Sequence, residues 1–165
     1  MNITLIGMPG SGKSTIGKAL AEKLSYSLID VDSLLEIEFQ LTIPAFIALH
    51  GEAAFLQKQK EAILGLTPKD SIISPGGSVI YSTASMEHLR RISTVIFLDT
   101  PLETILARIA SEPRSMIGGA AEDTRSLLLK RQPLYVKYAD KIFRTEGKNI
   151  TKIVDEIVNG CEVIQ

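Results

Sequence analysis

The chain has little of several features that would point to particular classes of protein. Its 165 residues include a single cysteine, Cys161, so no disulfide can form within the chain, and we expect Cys161 to be a buried small hydrophobe. The formal net charge of −1 offers no basic field for nucleic acid or an anionic membrane. No apolar run reaches the roughly eighteen residues that span a bilayer, and Ile3 to Ile6 is too short for a signal sequence. We therefore expect a cytoplasmic protein without nucleic-acid or membrane partners.

The composition is that of an ordinary globular protein, with 45% hydrophobic and 22% charged residues. Short apolar runs alternate with longer amphipathic stretches, which is typical of an α/β domain with a mainly parallel sheet. There is no internal repeat or linker, so we predict one domain over residues 1–165. The predicted strands are 2–6, 27–29, 71–74, 94–98 and 141–143. The predicted helices are 13–24, 32–39, 43–50, 52–64, 83–91, 102–109, 122–138 and 150–159.

The clearest motif lies between the first predicted strand and the first predicted helix, where residues 7–15 read GMPGSGKST. Glycines let backbone N–H groups approach an anion, and a helix N-terminus adds partial positive charge. Lys13 supplies a charge for the β- and γ-phosphates, and the Ser14 hydroxyl can bind Mg²⁺. A chance glycine turn is the alternative, but strand, loop and helix in register favour a phosphate-binding P-loop. The predicted nucleotide-binding residues here are Gly10, Ser11, Gly12, Lys13, Ser14 and Thr15.

Two acidic residues, Asp30 and Asp32, come at the end of the second predicted strand. They are one residue apart, so in an extended chain both carboxylates can point into the same cleft. One can orient Mg²⁺ through water while the other accepts a proton from a substrate hydroxyl. The alternative is that Asp32 is only a helix N-cap. Two acids beside a P-loop favour a functional role.

The ends of the third and fourth predicted strands are less specific. Pro75-Gly76-Gly77 permits close approach of the backbone to a ligand, or is an ordinary turn. Asp99 can be interpreted as a metal-binding acid, but Asp99-Thr100-Pro101 is also a good helix start. We prefer the helix start, with Thr100 as N-cap and Pro101 at the first helical position.

Residues 109–123 form the least periodic stretch of their length and contain Arg114 among small residues. They suggest a lid that closes over phosphates, with Arg114 stabilising the transferred group. A solvated loop is the alternative, and the pattern does not decide between them.

Arg131 belongs to a basic pair in a helical pattern, where Pro133 would kink the helix and aim Arg131 inward. The pattern alone favours a solvated pair. His50 and His88 lack metal-ligand spacing and receive no role.

Taken in order, these motifs resemble those of the shikimate kinase family, and the resemblance covers nearly the whole chain. The segments that carry it are residues 7–24, 30–32, 51–55, 74–79 and 131–135, with the lid arginine Arg114. The resemblance implies a three-layer P-loop fold of the nucleoside-monophosphate-kinase-like type. Its sheet would have five parallel strands in the order 2-3-1-4-5.

The resemblance also implies roles for individual residues. Asp30 would help to hold Mg²⁺ through water, and Asp32 would contact the substrate hydroxyls as the catalytic base. The Gly76 and Gly77 backbone and Arg131 would bind substrate. The residues that would flank the adenine are Arg108 and Lys148. The implied protein is a monomeric, ATP-dependent enzyme of aromatic amino-acid biosynthesis.

The chain departs from the family in the part that would bind the acceptor. An arginine that normally grips the substrate carboxylate is Leu56 here, and the glutamate that supports it is Gln59. Pro75 replaces the first of three glycines, and the lid sequence after Arg114 also differs. Similar departures occur in shikimate-kinase-like segments fused to threonine-synthase-like proteins. We predict Mg²⁺- and ATP-dependent phosphorylation of a small hydroxyl compound, with shikimate as first choice. The alternatives are another acceptor such as homoserine or a sugar acid, or a nucleotide-binding module without catalysis.

Overall fold

A computed structural model describes residues 1–111, 117 and 123–162. Its sheet contains five parallel strands in the order β2-β3-β1-β4-β5, which confirms the predicted order. The strands are β1 (Asn2–Ile6), β2 (Ser27–Asp30), β3 (Ser71–Ser74), β4 (Thr94–Asp99) and β5 (Lys141–Arg144). The α-helices of the described residues are α1 (Lys13–Leu24), α2 (Val31–Phe39), α3 (Ile43–His50), α4 (Glu52–Leu64), α5 (Thr83–Ile92), α6 (Leu102–Ser111), α7 (Thr124–Tyr138) and α8 (Ile150–Glu162).

The central strand β1 is apolar along its length because helices cover both faces of the sheet. Side chains of a strand point alternately to opposite faces. Accordingly Ile3 and Leu5 join one core cluster, while Ile6 joins the other. In register, Ile3 lies beside Ile72 of β3 and Thr94 of β4.

The two core clusters define a three-layer arrangement. Buried residues of α1 and α8 fill the cluster on one face of the sheet, and Cys161 lies there at 5% exposure, as expected. Buried residues of α2, α4, α5, α6 and α7 fill the cluster on the other face. No helix in the described ranges combines the length and apolar content that a membrane crossing requires.

The end of β2 differs from the prediction in a way that bears on the site. β2 continues through Asp30, and α2 begins at Val31. The N-cap of α2 is Asp30, whose Oδ1 accepts the Ser33 N–H at 3.2 Å. The interpretation of Asp32 as the N-cap is therefore wrong, because the first turn starts two residues earlier and leaves the Asp32 side chain for other contacts.

Other local predictions had mixed outcomes. Thr42 caps α3 as expected, accepting the Ala45 N–H at 3.3 Å. Residues Gly77–Tyr81 form a 3-10 helix that was not predicted. Helix α7 continues through Pro133. Its predicted start at residue 122 lies outside the described residues.

Candidate active site

Lys13, the first residue of α1, folds back over the loop that precedes it. Its Nζ donates hydrogen bonds to the carbonyls of Gly7 at 2.7 Å and Met8 at 2.8 Å, and the residue is only 8% exposed. Gly12 ends the loop with a φ of 97°, and its carbonyl accepts a hydrogen bond from the Ile16 N–H. A side chain at residue 12 would be strained in this left-handed conformation. The loop thus enters the helix through a position that glycine adopts readily.

Side chains from later elements tie the same loop to the ends of other strands. Nη1 of Arg108 donates to the Gly10 carbonyl at 2.8 Å. The Thr100 hydroxyl donates to the Ser11 carbonyl at 3.0 Å and accepts from the Thr145 hydroxyl at 2.9 Å. The prediction of Thr100 as N-cap and Pro101 at the first helical position is wrong, because α6 begins at Leu102 and the Ile105 N–H bonds to the Pro101 carbonyl. A chain of hydroxyl groups therefore links the end of β5 to the P-loop.

A cavity of about 720 Å³ opens over the carboxyl ends of the strands. Every predicted site residue that the structure describes lines it: Gly10, Ser11, Gly12, Lys13, Ser14, Thr15, Asp30, Asp32, Gly76, Gly77, Arg108, Arg131 and Lys148. Arg114 lies outside the described residues, as do residues 112–116 and 118–122 of the predicted lid. The geometry brings the predicted residues together, and their individual roles stay predictions.

Asp32 carries an unusual carboxylate. Burial and the nearby Asp30 raise its pKa from 3.8 to about 6, and the attraction of Lys13 only partly offsets this. Oδ1 is buried and has no hydrogen-bond partner among the described residues. An unpaired buried oxygen destabilises the folded protein unless something binds it. Asp32 is thus arranged to accept a bond or a proton from a ligand in the cavity.

The turn after β3 packs directly against this carboxylate. Gly76 has a φ of 88°, and a Cβ at that position would lie 2.7 and 2.9 Å from the two carboxylate oxygens of Asp32. Real Cβ atoms do not approach other atoms so closely. Glycine is therefore required here both for backbone conformation and for space.

The side chain of Gln59 on α4 makes two hydrogen bonds to this turn. The residue is 3% exposed, its Nε2 donates to the Pro75 carbonyl at 3.0 Å, and its Oε1 accepts from the Ser78 hydroxyl at 3.0 Å. The amide also lies close to Asp32, and its hydrogen bonding lowers the pKa of that carboxyl. Residue 59 therefore supports the turn and does so without a formal charge.

Arg131 reaches the cavity from α7 and is 1% exposed. Its Nε donates to the Tyr81 hydroxyl at 2.9 Å, and its Nη2 donates to the Ile117 carbonyl at 2.6 Å. No carboxylate of the described residues lies within ion-pair distance of its guanidinium. The solvated arrangement favoured by the sequence pattern is wrong for Arg131, while its neighbour Lys130 is exposed. A buried cation without a protein carboxylate is suited to a ligand anion.

The cavity lining also includes basic and apolar residues from the second half of the chain. Lys148 is one of them, with its Nζ 2.5 Å from Oε2 of Glu156. The exposed Arg108 and the α8 residues Ile150 and Ile153 line the same cavity. Basic and apolar side chains of this kind can accommodate a planar aromatic ring with polar edges.

Leu56 does not lie in the cavity, although the family resemblance places a carboxylate-binding arginine at this position. It is half-buried and packs against the larger core cluster, and it is not among the residues that line the cavity. Its neighbour Phe55 lines the cavity instead. Lys58 of the same helix is also not among the cavity-lining residues, and its Nζ lies 3.4 Å from Glu38 and 3.8 Å from Glu61 on the surface.

Sequence reasoning did not predict how Gln59 and Tyr81 support the site, although the family resemblance had placed Gln59 near the acceptor. Gln59 did carry a signal, since it falls four residues after Phe55 and four before Ile63, in the buried stripe of α4. A polar residue in such a stripe predicts a specific buried partner. Tyr81 carried no comparable signal, because its partner Arg131 is fifty residues away.

A P-loop between the first strand and first helix of a 2-3-1-4-5 parallel sheet, below a cleft lined by acidic and basic residues, defines a P-loop kinase. Comparisons with known proteins agree and narrow the class. The family described as "Shikimate kinase" matches residues 9–162. This chain belongs to the shikimate kinase family.

Individual relatives give the extent of the similarity. The shikimate kinase of Persephonella marina is 37% identical over 159 residues, which cover 95% of this chain and 96% of that protein. The solved structure of shikimate kinase from Acinetobacter baumannii in complex with shikimate superposes with a TM-score of 0.88 at 29% identity, covering 98% of this chain and 93% of that one. Threonine synthase-like 1 of Mus musculus is 35% identical over 96% of this chain, which spans 22% of that longer protein.

Proposed function

We propose that this chain transfers the γ-phosphoryl group of ATP to a hydroxyl group of shikimate, giving shikimate 3-phosphate. The observation that carries the proposal is that one cavity joins a P-loop to a partly buried acid, Asp32, and a buried arginine, Arg131. The first of these is suited to nucleotide phosphates, and the other two are suited to a hydroxy acid. Membership of the shikimate kinase family supports the same acceptor.

Lys13 and the loop N–H groups would bind the phosphates. In the described structure Lys13 donates to two loop carbonyls. Phosphate oxygens carry full negative charge and accept stronger, charge-assisted hydrogen bonds than carbonyls. Lys13 is therefore expected to turn toward the β- and γ-phosphates when ATP binds, and to stabilise negative charge as the phosphoryl group is transferred.

Asp32 would act as the general base. With a pKa of about 6, its carboxyl group is mostly ionised at neutral pH and can still take up a proton. The acceptor hydroxyl would donate its proton to Asp32 as its oxygen attacks the γ-phosphorus, and the bond from the γ-phosphorus to the bridging oxygen would break to release ADP. Oδ1 would accept that proton, because it accepts no hydrogen bond from the described residues and its lone pairs are available.

The residues present also fit a magnesium ion. Ser14 is exposed at the start of α1 and Asp30 lies at the end of β2, and both line the cavity. The described residues contain no cluster of three or more His, Cys, Asp or Glu that would hold a metal alone. Mg²⁺ keeps several waters and uses one or two protein ligands beside substrate phosphates. Ser14 would be a direct ligand of the ion and Asp30 would hold it through water, and the ion would supply positive charge to the β- and γ-phosphates.

Arg131 would bind the carboxylate of shikimate, with the Gly76 and Gly77 backbone against the ring. Arg108 and Lys148 would flank the adenine.

Arg114 is predicted to stabilise the transferred phosphoryl group as part of a lid. This lid would span residues 109–123 of a single domain. A monomeric state and a cytoplasmic location complete the proposal, and both rest on the sequence expectations.

The test is acceptor-dependent ADP formation by the purified chain with ATP and Mg²⁺. The acceptor panel contains shikimate, homoserine and a sugar acid such as gluconate, and mass spectrometry identifies the phosphorylated product. We expect ADP and shikimate 3-phosphate in equal amounts, and no turnover when Mg²⁺ is chelated. A Lys13→Ala protein controls for contaminating kinases.

Each other result has a definite meaning. ADP release stimulated by homoserine or gluconate but not by shikimate would show a kinase with another acceptor. ATP binding without acceptor-stimulated ADP release would show a nucleotide-binding module without catalysis.

A further inference from the structure

Arg131 is held in place by a residue that does not itself line the cavity. Tyr81 is the last residue of the 3-10 helix Gly77–Tyr81, and its hydroxyl accepts the Nε–H of Arg131 at 2.9 Å. The guanidinium carbon also lies 5.1 Å from the centre of the Tyr81 ring. One side chain thus fixes the guanidinium both by a hydrogen bond and by contact with an aromatic face.

The opposite end of the same 3-10 helix is bound to the same α-helix. The Tyr135 hydroxyl donates to the Gly77 carbonyl at 2.7 Å, and Tyr135 follows Arg131 by one helical turn on α7. The segment that carries the substrate-facing glycine is therefore joined to α7 at Gly77 and again at Tyr81. These two hydrogen bonds hold the 3-10 helix against α7 and so fix the distance between Gly77 and the guanidinium of Arg131.

Two of the three guanidinium nitrogens already donate to the protein, Nε to Tyr81 and Nη2 to Ile117. Nη1 lies on the Gly77 side, 3.4 Å from where a Cβ of residue 77 would be. Without the bond to Tyr81, rotation about the last side-chain bonds would let the guanidinium turn away from this position. The arginine side chain has several rotatable bonds, so holding one orientation costs conformational entropy that a fixed partner offsets.

We propose that Tyr81 is a positioning residue for acceptor binding, which orients Arg131 so that Nη1 faces the acceptor carboxylate beside Gly77. This rests on the proposed function, in which Arg131 binds that carboxylate. Because the contact is made in both ground state and transition state, Tyr81 contributes to the KM for the acceptor and hardly to kcat.

The test compares three variants. Tyr81→Phe removes the hydroxyl and keeps the ring, Tyr81→Leu removes both, and Tyr138→Phe is the matched control. Tyr138 is on α7, as Arg131 is, and its hydroxyl pairs with the Thr83 hydroxyl at 3.2 Å. Tyr81 is 44% exposed, so its replacement leaves the core intact.

For Tyr81→Phe we expect the KM for shikimate to rise about threefold to tenfold, the effect of one lost hydrogen bond. The kcat and the KM for ATP should stay within twofold of wild type. Tyr81→Leu should raise the KM for shikimate further, and Tyr138→Phe should leave it unchanged.

A second measurement needs no turnover. The Nε–H resonance of Arg131, identified by its loss in Arg131→Lys, is followed by nitrogen-15 NMR of the ligand-free protein. We expect slow exchange with water in wild type and Tyr138→Phe, and fast exchange in Tyr81→Phe. If wild type does not phosphorylate shikimate, the proposed function fails, while the NMR comparison still tests the positioning of Arg131. An unchanged rate of Nε–H exchange with water in Tyr81→Phe would overturn the role of Tyr81. An unchanged KM for shikimate in an active Tyr81→Phe enzyme would do the same.

Discussion

The two halves of the cavity are built in different ways. The phosphate half consists of consecutive residues, 7–15, whose shape depends largely on backbone conformation and on the start of α1. The acceptor half is assembled from α2, α4, the turn after β3 and α7, through side chains far apart in sequence. Substitution in the phosphate half should therefore abolish phosphoryl transfer to any acceptor. Substitution in the acceptor half should instead alter which acceptor is used, how tightly it binds and how activity depends on pH.

The largest expected effect is in the phosphate half. Lys13→Ala removes the charge that stabilises the transferred group, so kcat should fall on the order of a thousandfold. The exposed Lys18 of the same helix offers a control, and Lys18→Ala should retain full activity. Steady-state kinetics and thermal unfolding of both variants make the comparison. A Lys13→Ala protein within about tenfold of wild type would contradict the P-loop assignment.

Asp32 lies where the two halves meet. Asp32→Asn keeps the shape of the side chain and removes the proton acceptor, so kcat should fall on the order of a hundredfold with little change in ATP affinity. Unaffected turnover would mean that Asp32 is not the base.

The same variant should be more stable than wild type at pH 8. The pKa of Asp32 is about 6 in the folded state and 3.8 in the reference state, so the folded protein binds the proton more tightly. The free energy of unfolding therefore falls as pH rises from about 3.8 to 6, and stays lower above that range. Thermal unfolding at pH 4 and pH 8 tests this: the gain in Asp32→Asn should be present at pH 8 and small at pH 4. An equal gain at both values would contradict the raised pKa.

A smaller effect is expected from Gln59→Glu in the acceptor half. For wild type, kcat/KM should rise with pH and level off above a midpoint near 6, as Asp32 ionises. A carboxylate at residue 59 would raise the pKa of Asp32 by like-charge repulsion and would lose the bond to Pro75. The midpoint should move up by about one pH unit.

Gln57→Glu supplies the matched control, since Gln57 is exposed on the same helix and bonds to Glu61. It adds the same charge outside the cavity and should leave the midpoint in place. Equal shifts in both variants would indicate a general charge effect and would remove Gln59 from the site.

The smallest effect is expected at Leu56. Because Leu56 packs against the core and does not line the cavity, Leu56→Arg should change the KM for shikimate by less than about threefold. Leu49→Arg, on the exposed side of α3, controls for the added charge. A tenfold lower KM for shikimate in Leu56→Arg alone would show that a side chain at residue 56 does reach the acceptor carboxylate.

Much of the fold was predictable from local pattern. The bounds of β1, α1, α3, α4 and β3 agree with the prediction residue for residue, because apolar periodicity and capping residues act within a few positions. The strand order came from the family resemblance and not from the pattern, since pairing of β1 with β3 and β4 involves residues about seventy and ninety positions apart.

Local sequence specifies the P-loop, the two acids that follow the apolar run of β2, and the helices α1 and α2, because these features depend on neighbours along the chain. Packing of the whole chain sets three other outcomes: Asp30 and not Asp32 caps α2, Thr100 bonds to the P-loop, and Arg131 is buried. Each of those outcomes depends on which groups share a low-dielectric interior and on which hydrogen-bond partners remain there. Partners eighty-nine residues apart, as for Thr100 and Ser11, are brought together by packing of the sheet and its helices, which no local pattern specifies.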